Sequence, residues 1–452
     1  MHQDLLKQPP LPNTISPDLG ADWCRDPYGI PVSFHQYRYD LSRLMSRLPD
    51  DGRFALNLCR DRYRFLLAFH AVALKGQTNL LPPNQAPATR NLLLQQYDGS
   101  YLISDQPVDD ITDVPLVLVQ TSTDSGLNGV AQEFEVPSRH LAAILFTSGS
   151  TGRPSAVSKT WGELQTGVRT AADGLDLTGN LHYQVIATVP PQHMFGLEFS
   201  AMLPLSTGIG FHHGQPFFPE DVRQALQLSA DRCVLVTTPV HLRTCLESGI
   251  DWGPCGCRLI LSATAPLSRE LAESAEARFG TPLKEIYGST ETGAIAWRRT
   301  AKEEDWHLLP GLSMNPQEGR FCVSGGHFST PRPIGDRIEL REDGSFRLLG
   351  RHADLVKIAG KRASLNELNQ LLQRIDGVLD GCFVDPAEPG HESRRLAAVV
   401  VAPGLERRQL LDALAQWIDP VFLPRPLLFV DALPRNEVGK LPQQALRALL
   451  GS

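Results

Sequence analysis

Leu145-Phe-Thr-Ser-Gly-Ser-Thr-Gly-Arg-Pro154 starts in an apolar run and passes directly into glycines and hydroxyls. The run Ala142 to Phe146 reads as a buried strand. Glycines in the loop that follows permit backbone angles other residues avoid, and successive N–H groups can then form a concave nest for phosphate oxygens. Thr147, Ser148, Ser150 and Thr151 add hydroxyl donors without adding charge. The loop is not a Walker A motif, because five residues after Gly149 comes Pro154, where Gly-Lys-Ser/Thr would be required. The same composition serves ordinary surface loops. The stretch alone therefore leaves two readings open, a polyphosphate cradle and a solvated turn.

Outward from this loop, short apolar runs alternate with amphipathic segments. Arg53 to Cys59 reads as a strand, followed by a helix through Phe65, Leu66, Phe69, Val72 and Ala73. Cys233 to Thr238 and Arg258 to Ser262 repeat the pattern, with helices around His241 to Glu247 and Ser268 to Phe279. The alternation predicts an α/β protein whose parallel-rich sheets are covered by helices. Such sheets bind ligands beyond the carboxyl ends of their strands, which is where the 147–152 loop falls. Ile338 to Leu349 reads as a β-hairpin turning at Asp343-Gly344. Beyond residue 350 the pattern predicts a small α+β unit. Ser364-Leu-Asn-Glu367 is a capping box opening a helix to Ile375. Leu396 to Val401 and Leu427 to Val430 are strands, and Glu406 to Trp417 and Gln443 to Leu450 are helices. The Pro-rich 8–12 segment is expected to be a loose terminus.

At 452 residues the chain exceeds what one hydrophobic core usually organises, so more than one domain is expected. A hydrophobic share of 42% and a charged share of 21% are those of a soluble globular protein. A net charge of −7 with no basic block argues against nucleic-acid binding. No apolar run reaches the roughly 18–20 residues that span a bilayer, and the first ten residues lack a signal-peptide core. A cytosolic location follows as the expectation. The 8 cysteines are scattered, and Cys255-Gly-Cys257 has no second pair at zinc-site spacing, so reduced structural thiols are expected.

Further motifs decide between the readings of the loop. In chain order they are Phe146-Thr-Ser-Gly-Ser-Thr-Gly152, Pro191-Gln-His-Met-Phe-Gly196, Ser262-Ala-Thr-Ala-Pro266 and Tyr287-Gly-Ser-Thr-Glu-Thr-Gly293. Ile334-Gly-Asp336, Gly350-Arg351 with Lys357 to Glu367, and Leu433-Pro-Arg-Asn-Glu-Val-Gly-Lys440 follow. This series resembles the adenylate-forming superfamily of acyl- and aryl-CoA synthetases, luciferases and peptide-synthetase adenylation domains, over about Arg53 to Leu450. The resemblance implies a large N-terminal ATP- and acid-binding domain, 1–350, with a β-subdomain. It also implies a mobile C-terminal domain, 351–452, carrying the catalytic lysine.

The implied chemistry activates a carboxylic acid with ATP to an acyl-AMP, releases pyrophosphate, and passes the acyl group to a pantetheine thiol of CoA or acyl-carrier protein. Two anions meet in the first step, so charge neutralisation and positioning carry the catalysis. By resemblance, Thr147, Ser148, Gly149, Ser150, Thr151 and Gly152 hold the β- and γ-phosphates. Thr290 bonds the α-phosphate and Glu291 holds Mg²⁺, a hard ion suited to carboxylate and phosphate oxygens. The segment 263–266, with Ala263, Ala265 and Pro266, flanks the adenine together with Tyr287, which stacks on the ring, and Gly288 and Ser289 also bind the nucleotide. Asp336 accepts from the ribose hydroxyls, assisted by Arg351. Lys440 bridges carboxylate and α-phosphate as charge builds. His193 and Phe195 line and gate the acyl pocket, for which Trp161 and Trp297 are candidate walls. His212-His213 lacks such context and reads as ordinary surface. Read without the resemblance, Thr290-Glu291 is a solvated helix start and Asp336 a turn residue.

The sequence departs from the family pattern in three places. Ser155 stands where the phosphate loop usually has lysine, with Lys159 as the candidate replacement charge. Ala353 occupies the usual pivot, with an acid only at Asp354, and the N-terminal region is short for the family. These features resemble the stand-alone ligases of bacterial aryl-polyene and polyketide-type clusters, which load aryl or fatty acids onto acyl-carrier protein. A homodimer is a further expectation from family habit. Two alternatives differ in kind. A non-catalytic nucleotide-binding protein is disfavoured by retention of Glu291, Asp336, Arg351 and Lys440. An amino-acid adenylation domain is disfavoured because His193-Met194-Phe195 offers no acid for an α-ammonium group.

Overall fold

The strands expected at 142–146, 233–238 and 258–262 all form, and they belong to two different sheets. The computed structural model describes residues 22–26, 28–108, 113–122, 134–147, 155–178, 183–229, 232–253, 255–317, 319–351, 355–358, 361–386, 395–436 and 441–451. Loop positions 148–152, Lys440, Ala353 and the Pro-rich 8–12 segment lie outside the described residues.

One sheet has nine strands. Its centre is parallel: Leu283–Ser289, Cys257–Ser262, Cys233–Thr237, Gln184–Ala187, Gly210–His212 and Asp22–Arg25. Gly293–Arg298 and His307–Leu308 close one edge antiparallel, and Pro31–Ser33 closes the other. The second sheet has six strands, in the order Leu116–Leu118, Ser100–Ser104, Phe54–Asn57, Thr78–Leu81, Leu141–Thr147 and Ser155–Thr160. All of its pairings are parallel except the last, a hairpin of Leu141–Thr147 with Ser155–Thr160.

Sequence alternation explains why the nine-stranded sheet is covered on both faces. Along Cys233–Thr237, Val234 and Val236 enter one cluster, while Cys233 and Leu235 enter another. Period-two alternation of apolar with apolar is what a sheet buried on both sides requires. The first cluster also takes Ala55, Leu81 and Tyr101 from the six-stranded sheet, so helices between the sheets bury residues on all sides. Arg62–Leu74 shows this most clearly, with every residue from Phe65 to Ala73 buried. Removing a ring such as Phe65 from that layer would cost about 3–5 kcal/mol.

Helix starts follow the capping chemistry. Asp61, Ser268 and Thr238 each accept an N–H of the first turn, and Thr160 forms a capping box with Glu163. The hairpin expected at 338–349 forms as Asp336–Leu340 with Phe346–Arg351, and Gly344 takes φ +85 in its turn. It packs with Leu312–Gln317 and Arg320–Gly325 around Ile295, Val323, Ile338 and Phe346.

Beyond residue 355 come the two-stranded Leu355–Ile358 and Lys361–Ser364 sheet and a sheet of Asp380–Val384, Ala397–Val401 and Leu427–Phe429. Helices Leu365–Gln373, Arg407–Ala415 and Gln443–Leu449 cover them around clusters of their own. The Arg243 guanidinium donates to the Leu379 carbonyl at 2.7 Å, joining this region to the helix Pro239–Glu247.

One expectation needs correction. His212 is buried in a strand, and His213 Nδ1 lies 2.8 Å from an Asp61 carboxylate oxygen, so the pair is not ordinary surface. The partner is 152 positions away, beyond any local reading of the sequence. Trp161 is packed in the core against His70, ring centroids 5.3 Å apart. Trp297, on the strand next to the sheet edge, lies beneath Lys284, 4.0 Å from ring centroid to Nζ, beside His307. All 8 cysteines are buried free thiols, as the reading of scattered cysteines requires.

Candidate active site

The hairpin that carries the Gly-Ser-Thr loop ends at the pair Thr147 and Ser155, and Thr147 closes the parallel run at its carboxyl end. Residues 148–154, between these two ends, lie outside the described residues. The partner strand continues to Lys159, which is buried.

A second hairpin approaches from the other sheet. Leu283–Ser289 turns through Thr290, Glu291 and Thr292 into Gly293–Arg298. The bare sequence reading of Thr290-Glu291 as a helix start is therefore replaced by a hairpin turn. Glycine makes the turn possible. A Cβ on Gly288 would sit 2.1 Å from the Gly293 carbonyl oxygen. Gly293 takes φ +71, and a Cβ there would meet Glu198 Oε1 at 2.4 Å. Ser289 and Thr292 close the turn: the Ser289 N–H donates to Thr292 Oγ1 at 3.0 Å, and the Thr292 N–H donates to Ser289 Oγ at 3.2 Å. Thr290 is half-buried and Glu291 is exposed at the tip.

Three side chains from distant segments hold this turn by its backbone. Lys159 Nζ donates to the Glu291 carbonyl at 2.7 Å. His327 Nε2 lies 2.9 Å from the Thr292 carbonyl; a carbonyl only accepts, so Nε2 carries the proton. Burial holds the His327 pKa down and keeps the ring neutral. Glu198 accepts the Ala294 N–H with both oxygens at 3.1 Å.

Glu198 lies on a π-helical stretch, Leu197–Met202, and burial pushes its carboxyl pKa up to about 7, opposed by the Ala294 N–H and Lys159. Burial likewise lowers the Lys159 pKa, opposed first by the charge of Glu198.

On the other side of the turn, Tyr287 donates its hydroxyl to Asp336 at 2.6 Å. Its ring leans on Trp306 and Phe346, with centroids 5.4 and 5.8 Å away. Asp336 is paired in register with Arg351 across the Asp336–Leu340 and Phe346–Arg351 hairpin. The segment 263–266 follows the carboxyl end of Cys257–Ser262, and Thr264 holds φ +80, uncommon for a β-branched residue.

The Pro191-Gln-His-Met-Phe-Gly motif abuts the same turn. Met194 Cε would lie 3.3 Å from a Cβ on Gly293. Gln192 Nε2 donates to the Cys59 carbonyl at 2.6 Å, tying the motif to the six-stranded sheet. His193 precedes a short helix, Met194–Gly196, and is half-buried; Phe195 is buried against Phe199, centroids 5.4 Å apart.

Tyr287, Gly288, Ser289, Thr290, Glu291, Asp336 and the 193–195 segment thus converge on one region, with Thr147 at the base of the adjoining loop. Sequence reasoning missed Glu198 and His327. A lone carboxylate inside the apolar run Met194 to Met202 was a usable signal for the first. Nothing local marked the second.

A single exposed carboxylate whose backbone is fixed by other groups fits Mg²⁺, which is usually held by one or two carboxylates with phosphate and water rather than by a protein cage. Among the described residues, no cluster of three or more His, Cys, Asp or Glu forms such a cage. No helix among them is long and apolar enough to cross a membrane.

Comparison with known proteins bears on this arrangement. Residues 57–318 match the model of a family described as AMP-binding enzyme. A 4-coumarate–CoA ligase of Halorhodospira halophila is 29% identical over 315 residues, covering 67% of this chain and 76% of that relative. The ATP-bound structure of MatB from Rhodopseudomonas palustris superposes with TM-score 0.79 at 21% identity, covering 94% and 95% of the two chains. The o-succinylbenzoate CoA synthetase MenE from Bacillus subtilis, in complex with its acyl-adenylate OSB-AMP, gives TM-score 0.79 at 20% identity over 94% of each chain.

Proposed function

The chain belongs to the AMP-binding enzyme family, and from that premise we propose that it is an ATP-dependent acid–thiol ligase acting on an aryl or fatty carboxylic acid. The observation that carries the proposal is the place of the 290–292 turn. On one side Lys159 ties it to the hairpin of the Gly-Ser-Thr loop, and on the other it continues the strand of Tyr287, which is bonded to Asp336. A nucleotide laid along this line would meet the loop with its β- and γ-phosphates, Thr290 with its α-phosphate and Asp336 with its ribose.

In the proposed reaction, residues 147–152 and Thr290 hold the phosphates, and Glu291 holds Mg²⁺, which when bound neutralises phosphate charge. Ala263, Ala265, Pro266, Gly288 and Ser289 border the adenine beside Tyr287, and Asp336 with Arg351 orients the ribose. The acid enters beside His193 and Phe195. Its carboxylate oxygen attacks the α-phosphorus, the bond to the β-phosphate bridging oxygen breaks, and pyrophosphate leaves. Lys440, on the 351–452 domain, supplies the point cation where the negative charge concentrates. A pantetheine thiolate then attacks the acyl carbon and displaces AMP. That arm belongs to CoA in the names of the similar ligases, and acyl-carrier protein bears the same arm. The acyl motif Pro191 to Gly196 holds no carboxylate, and the nearby Glu198 is engaged by the Ala294 N–H, which supports a plain acid over an amino acid.

The test is acid-dependent exchange of labelled pyrophosphate into ATP with a panel of aryl and aliphatic acids, then thioester formation with CoA and with acyl-carrier protein in separate arms. Exchange with at least one acid is expected. Folded protein that exchanges with none would overturn the proposal.

A further inference from the structure

Lys159 lies on the strand that leaves the phosphate loop, four positions after the serine that replaces the loop lysine. Its closeness in sequence makes it a candidate substitute charge for phosphate, which position alone does not establish. The geometry gives it another partner. Its ammonium group is buried and donates at 2.7 Å to the backbone carbonyl of Glu291, 132 positions away and in the other sheet. That carbonyl belongs to the residue whose carboxylate projects from the tip of the turn.

The surroundings support a fixed arrangement. The neighbouring Thr292 carbonyl is held by His327 and the Ala294 N–H by Glu198, so successive peptide groups of the turn are gripped from three sides. Thr160, the residue after Lys159, caps the helix Trp161–Gly174 through a capping box with Glu163, which locks the end of the strand. Lys159 pairs with Ala143 in the ladder, so its backbone cannot drift relative to the phosphate loop's first strand. A charged donor to a carbonyl in a water-poor site makes a strong, directional bond.

Resting on the function proposed above, we infer that Lys159 is a positioning residue for adenylation: it couples the phosphate-loop hairpin to the turn bearing Glu291, and sets the carboxylate's place relative to the triphosphate without touching phosphate itself. The missing loop lysine is thereby not replaced in kind. Its neighbour's charge is used to fix the metal-binding turn.

The experiment measures nucleotide binding by calorimetry without acid, so that no turnover contributes. Wild type, Lys159→Met and the double variant Lys159→Met/Glu198→Gln are compared; the double variant removes both buried charges in case the single variant folds poorly. Three titrations are made: AMP, ATP in EDTA, and ATP over a Mg²⁺ series. The expected result is unchanged AMP affinity, nearly unchanged ATP affinity in EDTA, and about tenfold weaker binding of ATP with Mg²⁺, corresponding to one lost charge-assisted bond. The Mg²⁺ concentration for half-effect should rise by a similar factor. Lys159→Arg, which keeps a charged donor, should recover part of the loss.

An equal loss with and without Mg²⁺ would make Lys159 a direct phosphate ligand and overturn the inference. Loss of AMP binding in parallel would mark a merely structural role and overturn it as well, and so would no change in any titration. Wild-type protein that exchanges pyrophosphate while Lys159→Met binds normally defeats the inference alone. Wild-type protein that exchanges with no acid defeats the function proposed for the site.

Discussion

The hydroxyl of Tyr287 donates to the carboxylate of Asp336 at 2.6 Å, joining a strand of the nine-stranded sheet to a hairpin of the β-subdomain 49 positions later. The bond links the residue proposed to stack on adenine to the one proposed to receive the ribose. Neither orientation is then independent of the other. Replacing Tyr287 by Phe keeps the ring against Trp306 and Phe346 but removes its bond to the carboxylate. AMP affinity should fall about tenfold, in line with one bond to a charged group. Asp336→Asn should cost at least as much. Because the two residues act through one bond, the double variant should lose less than the product of the single losses, measurable in a calorimetric cycle.

Lys440 lies outside the described residues, and its role rests on its motif. If it is the cation that meets the transition state, Lys440→Ala should lower acid-dependent pyrophosphate exchange by on the order of 10²–10³. Binding of ATP and of the acid should change little, because the interaction forms as charge develops. Thioester formation from supplied acyl-AMP should survive. A loss of ATP affinity that accounts for the whole rate effect would remove the catalytic role.

The sequence made the local parts of this architecture readable and left the long-range ones hidden. Apolar alternation located Leu141–Thr147, Cys233–Thr237 and Cys257–Ser262 within a residue or so, because a buried strand needs that pattern wherever it pairs. Motif order marked Tyr287, Thr290, Glu291 and Asp336 as candidates that the fold then gathers into one region. What periodicity cannot carry is choice of partner. Lys159 meets Glu291 across 132 positions, and His213 meets Asp61 across 152. The hairpin at 288–293 was equally hidden, since it depends on two glycines passing too closely for any Cβ. Glu198 was visible as an odd acid in an apolar run, but its partner, the Ala294 N–H, was not.

Thr264 carries a backbone conformation with φ +80 in the segment proposed to border adenine. Its Cβ makes that conformation costly by about 1–2 kcal/mol relative to glycine. Comparing Thr264→Gly with Thr264→Ala isolates the backbone, since both remove the hydroxyl and its contacts. The glycine variant should melt higher than the alanine variant, by about 1–3 °C in a chain of this size. Equal melting temperatures would mean that the surrounding segment relaxes and stores no strain.

Glu198 makes stability depend on pH in a direction opposite to most carboxylates. Its ordinary pKa is 4.5 and burial raises it to about 7 in the folded protein. Between those values the folded state holds a proton that the unfolded chain has released. The contribution is therefore complete below pH 4.5 and is lost as pH rises through 7, by an amount on the order of 3 kcal/mol at most. The groups facing the carboxylate are the Ala294 N–H and the Lys159 charge, both of which favour ionisation and limit the rise. His70 acts in the opposite sense: burial lowers its pKa from 6.5 to about 3, so its contribution is lost as pH falls from 6.5 towards 3. That histidine is common to wild type and variant and cancels in their difference. Glu198→Gln keeps an acceptor for Ala294 and removes the titration. Measured by thermal melting in EDTA, the variant should gain on wild type by several degrees between pH 5 and pH 8. A difference that stays constant across that range would show that Glu198 does not hold its proton in the folded protein.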